Sequence, residues 1–379
     1  KIINNDKIKK IKNNEISNEE ITKILIDSGL KGKGGAGFPT GKKWQIVSQY
    51  DDLKYLAING DEGEPGTFKD RYYLETDPHR FLEGVLIAAH FIKAHKVYIY
   101  LRDEYPAAIE ILKNEINILE ENSLVKENYF IIRRGAGAYI CGEESAMIES
   151  IEGKRGLPRH RPPYVAEIGL FGCPTLTNNL ETLFWVRDII EKGAKWFAEK
   201  GSNGNKGFHS FSVSGRVRNP GVKVAPAGIT IQQLIDEYCD GMADGHTFKG
   251  YLPGGASGGI LPATMNDIPL DYGSKELMDA GCFLGSAAVV VLSDHDNMKD
   301  VALNLLKFFD TIALRGTIRD FDCFDISLYL GPNFHFVIYP INQNKEFNFI
   351  AIIRKELIQN EINNKDLLNG DVFKKNLLN

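Results

Sequence analysis

Features that define several large protein classes are missing from this 379-residue sequence. It contains no run of about 18 apolar residues, which argues against a membrane-spanning helix. The segment that starts at Lys1 lacks both an initiator Met and the apolar core of a secretory signal, so a fragment or a processed product is indicated. A basic excess is also missing, because 45 Lys and Arg face 50 Asp and Glu, and this argues against a nucleic-acid-binding surface.

Cysteine is scarce and widely spaced. No C-x-x-C pair occurs among the five cysteines, which are Cys141, Cys173, Cys239, Cys282 and Cys323. An odd count in a chain of this length argues against a disulfide framework and indicates a reducing compartment. Cys141 has no histidine near it in sequence, so a small buried thiol is favoured there over a nucleophile.

Strands and helices alternate over the first 150 residues. Apolar strands are predicted at 55–58, 97–101 and 129–132, and helices at about 18–28, 78–94, 105–120 and 143–151. This alternation is typical of βαβ units with a parallel sheet, whose ligand lies beyond the carboxyl ends of the strands. We therefore expect the loops that leave those ends to meet at one edge of the sheet: 59–66, 102–104 and 134–144.

The pattern changes from about residue 208. A hairpin is predicted around 219–221, a helix begins at Thr230, and further strands are predicted at 248–252 and 287–292. This order of elements within about 85 residues predicts a β-grasp domain. A helix follows at about 297–309, and beyond it asparagine fills 10 of the 47 positions from 333 to 379.

A glycine-rich loop follows the first predicted helix. Gly32, Gly34 and Gly37 fit G-x-G-x-x-G, but a helix precedes them where the dinucleotide fingerprint requires a strand. Residues without Cβ atoms still let backbone N–H groups approach an anion or a flat ring, and Lys43 adds a cation. A packed hairpin of loops is the alternative.

An acidic loop follows the first predicted strand and contains Asn59, Asp61, Glu62 and Glu64. No histidine lies within this cluster, so a metal site is not indicated. A general acid–base pair and hydrogen bonds to ribityl or ribose hydroxyls are both open, and a solvated acidic turn is the alternative. The position at a strand end favours a functional role.

Three further segments carry candidate chemistry. The helix that begins near Gly142 and Glu143 offers its positive N-terminus to a phosphate or an electron-rich ring. The basic stretch 154–161 is either a solvated loop or a clamp for a pyrophosphate, and the prolines before Tyr164 would hold that ring for stacking on adenine. Asn178 and Asn179 either donate to flavin oxygens or cap a helix.

In this order, the segments 32–44, 59–70, 135–145, 162–163 and 178–183 resemble the flavoprotein subunits that oxidise or reduce NAD(H). That family includes the complex I flavoprotein subunit, the diaphorase subunits of bidirectional hydrogenases and the beta subunits of NAD-dependent formate dehydrogenases. The resemblance covers roughly residues 25–309. In the amino-acid sequence of segments 59–70, 152–161 and 238–245, the chain most resembles the formate dehydrogenase beta subunits.

The resemblance implies an α/β fold in three regions. A Rossmann-like parallel-sheet domain that binds FMN and NAD(H) would span residues 1–207, and a β-grasp (ubiquitin-like) domain 208–295. A C-terminal helical region of atypical sequence would span 296–379, with a helix at 297–309. Relatives carry a C-x-x-C-x-x-C run after that helix for a [4Fe–4S] cluster, but here only Cys323 remains. We therefore predict no metal ligands, and a tail that is frameshifted, decayed or chimeric rather than a replacement domain.

By motif position the resemblance also implies two sets of cofactor-binding residues, with Gly35 and Gly37 completing the glycine-rich loop. The FMN set is Gly32, Gly34, Lys43, Asn59, Asp61, Glu62, Gly142, Glu143, Asn178 and Asn179. The NAD(H) set is Phe38, Glu64, Tyr139, Glu144, Arg161 and Tyr164. Glu64 and Glu144 are the catalytic candidates, since their negative charge would help to release NAD⁺.

The implied function is hydride transfer between NAD(H) and FMN in the beta subunit of an NAD-dependent formate dehydrogenase, with electrons passing on to iron–sulfur centres. The implied partners are a thioredoxin-like iron–sulfur subunit and a large iron–sulfur and molybdenum subunit, in the cytoplasm or at the membrane periphery. The alternatives are the same subunit in complex I or in an NAD-reducing hydrogenase, a soluble diaphorase, and a non-catalytic remnant that has lost its electron exit.

Overall fold

The computed structural model describes residues 11, 13, 15–135, 137–313, 327–331, 334–341 and 346–353. The chain forms two compact units, Lys1–Asp296 and Asn297–Asn379. Among the described residues, no helix combines the length and the apolar character needed to cross a membrane.

A four-stranded parallel sheet organises the first part of unit Lys1–Asp296. Its strands are β1 (Tyr55–Gly60), β2 (Lys96–Leu101), β3 (Phe130–Arg134) and β4 (Thr175–Asn179), in the order β3-β2-β1-β4. Each neighbouring pair runs parallel. The predicted α/β fold with a parallel sheet is confirmed, and the three strands predicted from apolar runs are β1, β2 and β3.

Several helices around this sheet begin at a capping residue. The Ser17 side chain accepts a hydrogen bond from the N–H of Glu20. The Asp77 side chain accepts one from the N–H of Arg80, and Pro78 follows Asp77 as the first residue of that helix. The helices are Asn18–Ser28, Thr40–Ser48, Lys69–Thr76, Pro78–Ile92, Pro106–Glu121, Glu144–Ile151, Leu180–Lys192 and Ala194–Ala198. Thr40–Ser48 was not predicted, because the glycine-rich segment before it indicated a loop that continued to Trp44.

Two apolar helices pack closely beside the sheet. Helix Pro78–Ile92 contacts helix Leu180–Lys192 at Gly84, where an added Cβ would lie 1.9 Å from the carbonyl oxygen of Leu183. Glycine at this position therefore permits an approach that any side chain would block. The contact fixes the start of the second helix, and with it the end of β4, relative to the rest of the sheet.

The second sheet has five strands, β5 (Phe208–Gly215), β6 (Gly221–Pro226), β7 (Phe248–Leu252), β8 (Leu261–Pro262) and β9 (Ala288–Ser293). Their order is β6-β5-β9-β7-β8, with β5 and β9 parallel and the other pairs antiparallel. First and last strands side by side at the centre are the arrangement of a β-grasp fold. Between the strands lie Ile231–Gln233, which continues as a π-helical turn over Leu234–Tyr238, and Lys275–Asp279. The division at residue 207 remains a proposal, since both sheets lie in one compact unit.

Unit Asn297–Asn379 starts with helix Met298–Ala313, where a helix is predicted at 297–309. The described residues after it form strands rather than helix: β10 (Ser327–Gly331), β11 (Phe334–Ile341) and β12 (Glu346–Ile353) pair antiparallel in that order. The helical description of this region therefore holds only as far as Ala313. Cys323 lies outside the described residues.

Candidate functional site

A polar cleft of about 320 Å³ lies at the carboxyl edge of the parallel sheet. Of the eighteen candidate residues, ten line it: Gly34, Gly35, Asn59, Asp61, Glu62, Glu64, Tyr139, Gly142, Glu143 and Asn179. The other eight do not: Gly32, Gly37, Phe38, Lys43, Glu144, Arg161, Tyr164 and Asn178. The loops after β1 and β3 thus meet at one edge, as the parallel-sheet rule predicts.

Backbone and amide hydrogen bonds hold the acidic loop against the glycine-rich loop after β3. The Asn59 amide donates to the carbonyl of Gly142 at 2.8 Å, and its oxygen accepts from the N–H of Asp61 at 3.0 Å. Glu62 turns the other way and is buried. Its carboxylate accepts from the N–H groups of Asp70 and Arg71 at 2.8 and 3.0 Å, which begin the next helix. Glu62 is therefore a helix-capping residue as well as part of the cleft wall.

Asp61 has unused hydrogen-bonding capacity. Its Oδ2 atom is buried and has no partner within the described residues. Burial raises the pKa of Asp61 from 3.8 to about 6, although the nearby Arg102 guanidinium lowers it in part. A buried acceptor without a protein donor can take one from a ligand hydroxyl. A polyol such as the ribityl chain of FMN supplies hydroxyl donors of this kind, so the cleft residues fit that cofactor.

Glu64 is fixed from two sides. One oxygen accepts from the Tyr139 hydroxyl, and the other accepts from the N–H and hydroxyl of Ser257 at 2.7 and 3.0 Å. Gly255 permits this contact, because an added Cβ there would lie 2.6 Å from the Glu64 side chain. The loop after β7 therefore forms part of the site, and sequence reasoning missed Ser257 because nothing local marks it.

A buried ionic cluster forms the floor of the cleft. Lys69 is 1% exposed and pairs with Asp70 at 2.9 Å and with Glu181 at 3.0 Å. Burial opposes the charge on Lys69, but Asp70 and Glu181 hold the pKa of the ammonium well above its usual value. Asn179 donates to Asp70 at 2.7 Å. Lys69 and Asp70 belong to the acidic segment 59–70, yet only Asn179 was predicted to bind a cofactor.

Glycines let the loop after the first helix approach this floor. An added Cβ at Gly34 would lie 3.2 Å from Asn179, and one at Gly35 would lie 3.5 Å from the backbone of Gly285. Gly37 adopts φ +63°, where an added Cβ would lie 2.7 Å from Tyr272. Gly285 belongs to the β-grasp region, so both sheets contribute walls to the cleft. Other wall residues that sequence reasoning missed are Thr67, Phe283 and Ser286.

Lys43, Glu144 and Arg161 form a second polar group, outside the cleft lining. Lys43 contacts Glu144 at 2.9 Å and the Thr177 hydroxyl at 2.7 Å, and Arg161 contacts Glu144 at 3.2 Å. Burial opposes ionisation of Glu144, but Lys43, Thr177 and Arg161 together lower its pKa. Glu144 is therefore an ionised carboxylate whose charge is balanced by two cations.

The two asparagines at the end of β4 have different environments. Asn178 is buried, and its oxygen accepts from the Trp44 indole at 2.9 Å. Asn179 caps helix Leu180–Lys192 by accepting from the N–H of Glu181 at 3.0 Å. The capping alternative for Asn179 is thus present in the structure, together with its place in the cleft wall.

The basic stretch 154–161 is largely paired with acidic side chains. Lys154 contacts Glu152 at 2.6 Å, Arg159 contacts Glu149, and Arg161 contacts Glu143. This pairing leaves less positive charge for a pyrophosphate than the sequence indicates. Tyr164 and Phe38 are about half exposed, at 52% and 47%, which leaves both rings accessible to a ligand.

The described cysteines do not form a cluster site. Cys141, Cys239 and Cys282 are buried and Cys173 is partly exposed, all four as free thiols. Burial raises the pKa of Cys141, so its thiol is protonated and unreactive, as the buried-thiol interpretation requires. Among the described residues, the one group of three or more metal-ligating side chains contains no cysteine. These residues therefore do not fit a [4Fe–4S] cluster.

Comparisons with known proteins identify the family to which the chain is similar. Residues 25–188 match the family model described as the Nuo51 FMN-binding domain. An NADH-quinone oxidoreductase subunit of Rhizobium meliloti (strain 1021) is 42% identical over 304 residues, which cover 78% of this chain and 72% of that protein. The mitochondrial NADH dehydrogenase [ubiquinone] flavoprotein 1 of Dictyostelium discoideum is 41% identical over 302 residues, 76% of this chain and 63% of that protein.

A solved structure is similar over most of the chain. The crystal structure of an NAD⁺-reducing [NiFe]-hydrogenase in the air-oxidized state matches 80% of this chain with a TM-score of 0.70 and 35% identity. The matched region is 51% of the hydrogenase chain, so the present chain spans about half the length of that relative.

Proposed function

This chain belongs to the family of NADH-oxidising flavoprotein subunits of NADH-quinone oxidoreductase and has that family's FMN-binding domain, and we propose that it exchanges hydride between NAD(H) and FMN. The proposal rests on the cleft at the sheet edge. Glycine-containing loops line this cleft, and Oδ2 of Asp61 is buried in it without a partner among the described residues. A cytoplasmic location, at the membrane periphery if the complex is attached there, is part of the proposal.

Each wall of the cleft would perform a distinct task for FMN. Gly34 and Gly35 let a flat ring approach the backbone, and Asp61 would accept a hydrogen bond from a ribityl hydroxyl. Lys69, paired with Asp70 and Glu181, would hold the floor of the cleft in a fixed arrangement. Bound FMN would supply two-electron hydride exchange with NAD(H) and one-electron transfer to the next acceptor.

The residues around Glu64 would orient NAD(H). Tyr139 and Ser257 hold the Glu64 carboxylate in one position, from which it can accept hydrogen bonds from ribose hydroxyls or a nicotinamide amide. The half-exposed rings of Phe38 and Tyr164 would stack on the bases of the dinucleotide. Glu144 would act beside Lys43 and Arg161, outside the lining of the cleft.

For the complex that the chain serves, we propose an NAD-dependent formate dehydrogenase, in which the chain is the beta subunit. The segments 59–70, 152–161 and 238–245, whose sequences resemble that subfamily, support this proposal. The proposed partners are a thioredoxin-like iron–sulfur subunit and a large iron–sulfur and molybdenum subunit. The second candidate is complex I or an NAD⁺-reducing hydrogenase, which the names of the matching relatives favour.

The hydride site is tested by anaerobic titration of the FMN-reconstituted chain with NADH, read by flavin absorbance, with iron assayed on the same sample. Stoichiometric bleaching of bound flavin is expected. Glu64→Gln should raise the NADH concentration needed, whereas Glu75→Gln, a control on the exposed side of helix Lys69–Thr76, should not. FMN that does not bind, or that stays oxidised with excess NADH, would refute the enzyme proposal and favour the non-catalytic remnant.

The identity of the complex is tested by purifying the chain with its natural partners from its source cells. Formate-dependent reduction of NAD⁺, with molybdenum or tungsten in the preparation, is the expected result. Nickel with hydrogen-dependent reduction, or quinone-dependent NADH oxidation without either metal, would replace formate dehydrogenase by the second candidate.

A further inference from the structure

Two histidines and an aspartate meet at the edge of the β-grasp sheet, where the loop before β7 lies beside the turn after β9. The ligand atoms of His246, Asp294 and His295 all lie within 4.8 Å of one another. The two imidazole rings are 4.5 Å apart at their centroids. None of the three residues lines the FMN cleft, and no step of the proposed hydride transfer uses them.

The backbone holds these two segments together. The N–H of Asp294 donates to the carbonyl of Thr247 at 3.0 Å, and the N–H of Thr247 donates to Oδ1 of Asp294 at 2.8 Å. The strands continue from this point with Phe248 opposite Ser293. The hydrogen bonds between Thr247 and Asp294 therefore hold the two segments together directly beside the sheet, which is the kind of support a metal site needs.

A neighbouring hydrogen-bond chain favours one nitrogen of His246 as the metal ligand. Nδ1 of His246 lies 2.9 Å from the Ser293 hydroxyl, which donates its one proton to Oδ2 of Asp296 at 3.3 Å. Asp296 is an acceptor only, because it is a carboxylate paired with Arg216 at 2.8 Å. With the hydroxyl proton directed at Asp296, the Ser293 oxygen accepts from Nδ1–H. This leaves the lone pair of His246 on Nε2, and a fixed tautomer of this kind typically accompanies a metal-binding histidine.

We propose that His246, Asp294 and His295 bind a divalent transition-metal ion of the zinc class, with water in the remaining position. Two imidazoles and one carboxylate suit Zn²⁺ and its neighbours better than Mg²⁺ or Ca²⁺. A tetrahedral ion with ligands at about 2.0–2.1 Å needs donor atoms about 3.3 Å apart, which side-chain rotation can reach from the present spacing. Bound metal would link the loop before β7 to the turn after β9.

The test uses the full chain, freed of metal, with Zn²⁺ in competition with a chromophoric chelator and with Co²⁺ as a spectroscopic probe. Stoichiometric binding is expected, with Co²⁺ absorption of a four-coordinate nitrogen and oxygen site. His246→Ala and His295→Ala should each abolish that spectrum. Ser293→Ala, which frees the tautomer, should weaken Zn²⁺ binding by about tenfold.

His95→Ala is the matched control, because His95 is an exposed histidine outside the cluster and its loss should change nothing. Circular dichroism of each variant separates lost binding from lost folding, and the exposed His295 gives a variant independent of the partly buried His246. The proposal is overturned if the parent chain binds no stoichiometric Zn²⁺. It is equally overturned if folded His246→Ala and His295→Ala bind Zn²⁺ as tightly as His95→Ala.

Discussion

Asp61→Asn tests the flavin site directly, because it changes the one cleft oxygen that is buried without a partner in the described structure. The substitution keeps the size of the side chain and removes its charge. Without FMN the charge of Asp61 is unfavourable, since burial raises its pKa to about 6. With FMN the same charge accepts a hydroxyl hydrogen bond. The substitution should therefore stabilise the flavin-free chain and weaken its binding of FMN.

The magnitude follows from the pKa shift of Asp61. A change from 3.8 to about 6 corresponds to a stability cost of up to about 3 kcal/mol in the flavin-free chain at pH 7. Because the folded-state pKa is raised, the cost is absent below the unfolded pKa and develops as pH rises from about 4 through about 6. Between pH 5 and pH 7 the parent chain should lose about 1.3 kcal/mol of stability relative to Asp61→Asn.

The assay is urea unfolding of the flavin-free parent and variant at pH 5, 6 and 7, with Asp51→Asn as the control at an exposed aspartate. Adding saturating FMN should shrink the difference in stability at pH 7, because the parent binds FMN more tightly than the variant. Loss of one charge-assisted hydrogen bond, about 1.5–3 kcal/mol, weakens FMN binding by about 10- to 100-fold. The reasoning is refuted if the parent and Asp61→Asn show the same pH dependence, or if both bind FMN equally well.

Three further substitutions have expected results. Lys69→Met removes the cation paired with the buried carboxylates of Asp70 and Glu181, and should lower the free energy of unfolding in urea by about 3–5 kcal/mol. A loss below about 1 kcal/mol would show that this ionic cluster does not stabilise the fold. Gly84→Ala places a Cβ against Leu183 and should cost about 3 kcal/mol in thermal unfolding, so an unchanged Tm would show that the helices can separate freely. Ser257→Ala removes a hydroxyl bond to Glu64 worth about 1 kcal/mol, and should raise KM for NADH about fivefold with FMN affinity unchanged; equal losses in both would argue for general disruption instead.

Local sequence signals predicted most of the first sheet and its helices. Ser17 and Asp77 mark helix starts by hydrogen bonds within three residues of themselves, and the apolar runs of β1, β2 and β3 need only their own side chains to be recognised. Strand β4 and helix Thr40–Ser48 lacked such signals, because the first ends in polar asparagines and the second follows a run of glycines.

The candidate site likewise contains some residues that the sequence predicted and others that only the structure identified. Sequence alone determined which loops leave the strand ends, and with them Asn59, Asp61 and Glu64, because parallel strands must end at a common edge. Only the tertiary structure decided that Glu62 also caps a helix and that Ser257 holds Glu64. The cap formed by Glu62 spans only eight and nine positions, whereas the contact between Glu64 and Ser257 spans 193. No local pattern encodes such a pairing, because it exists only once the two sheets have packed.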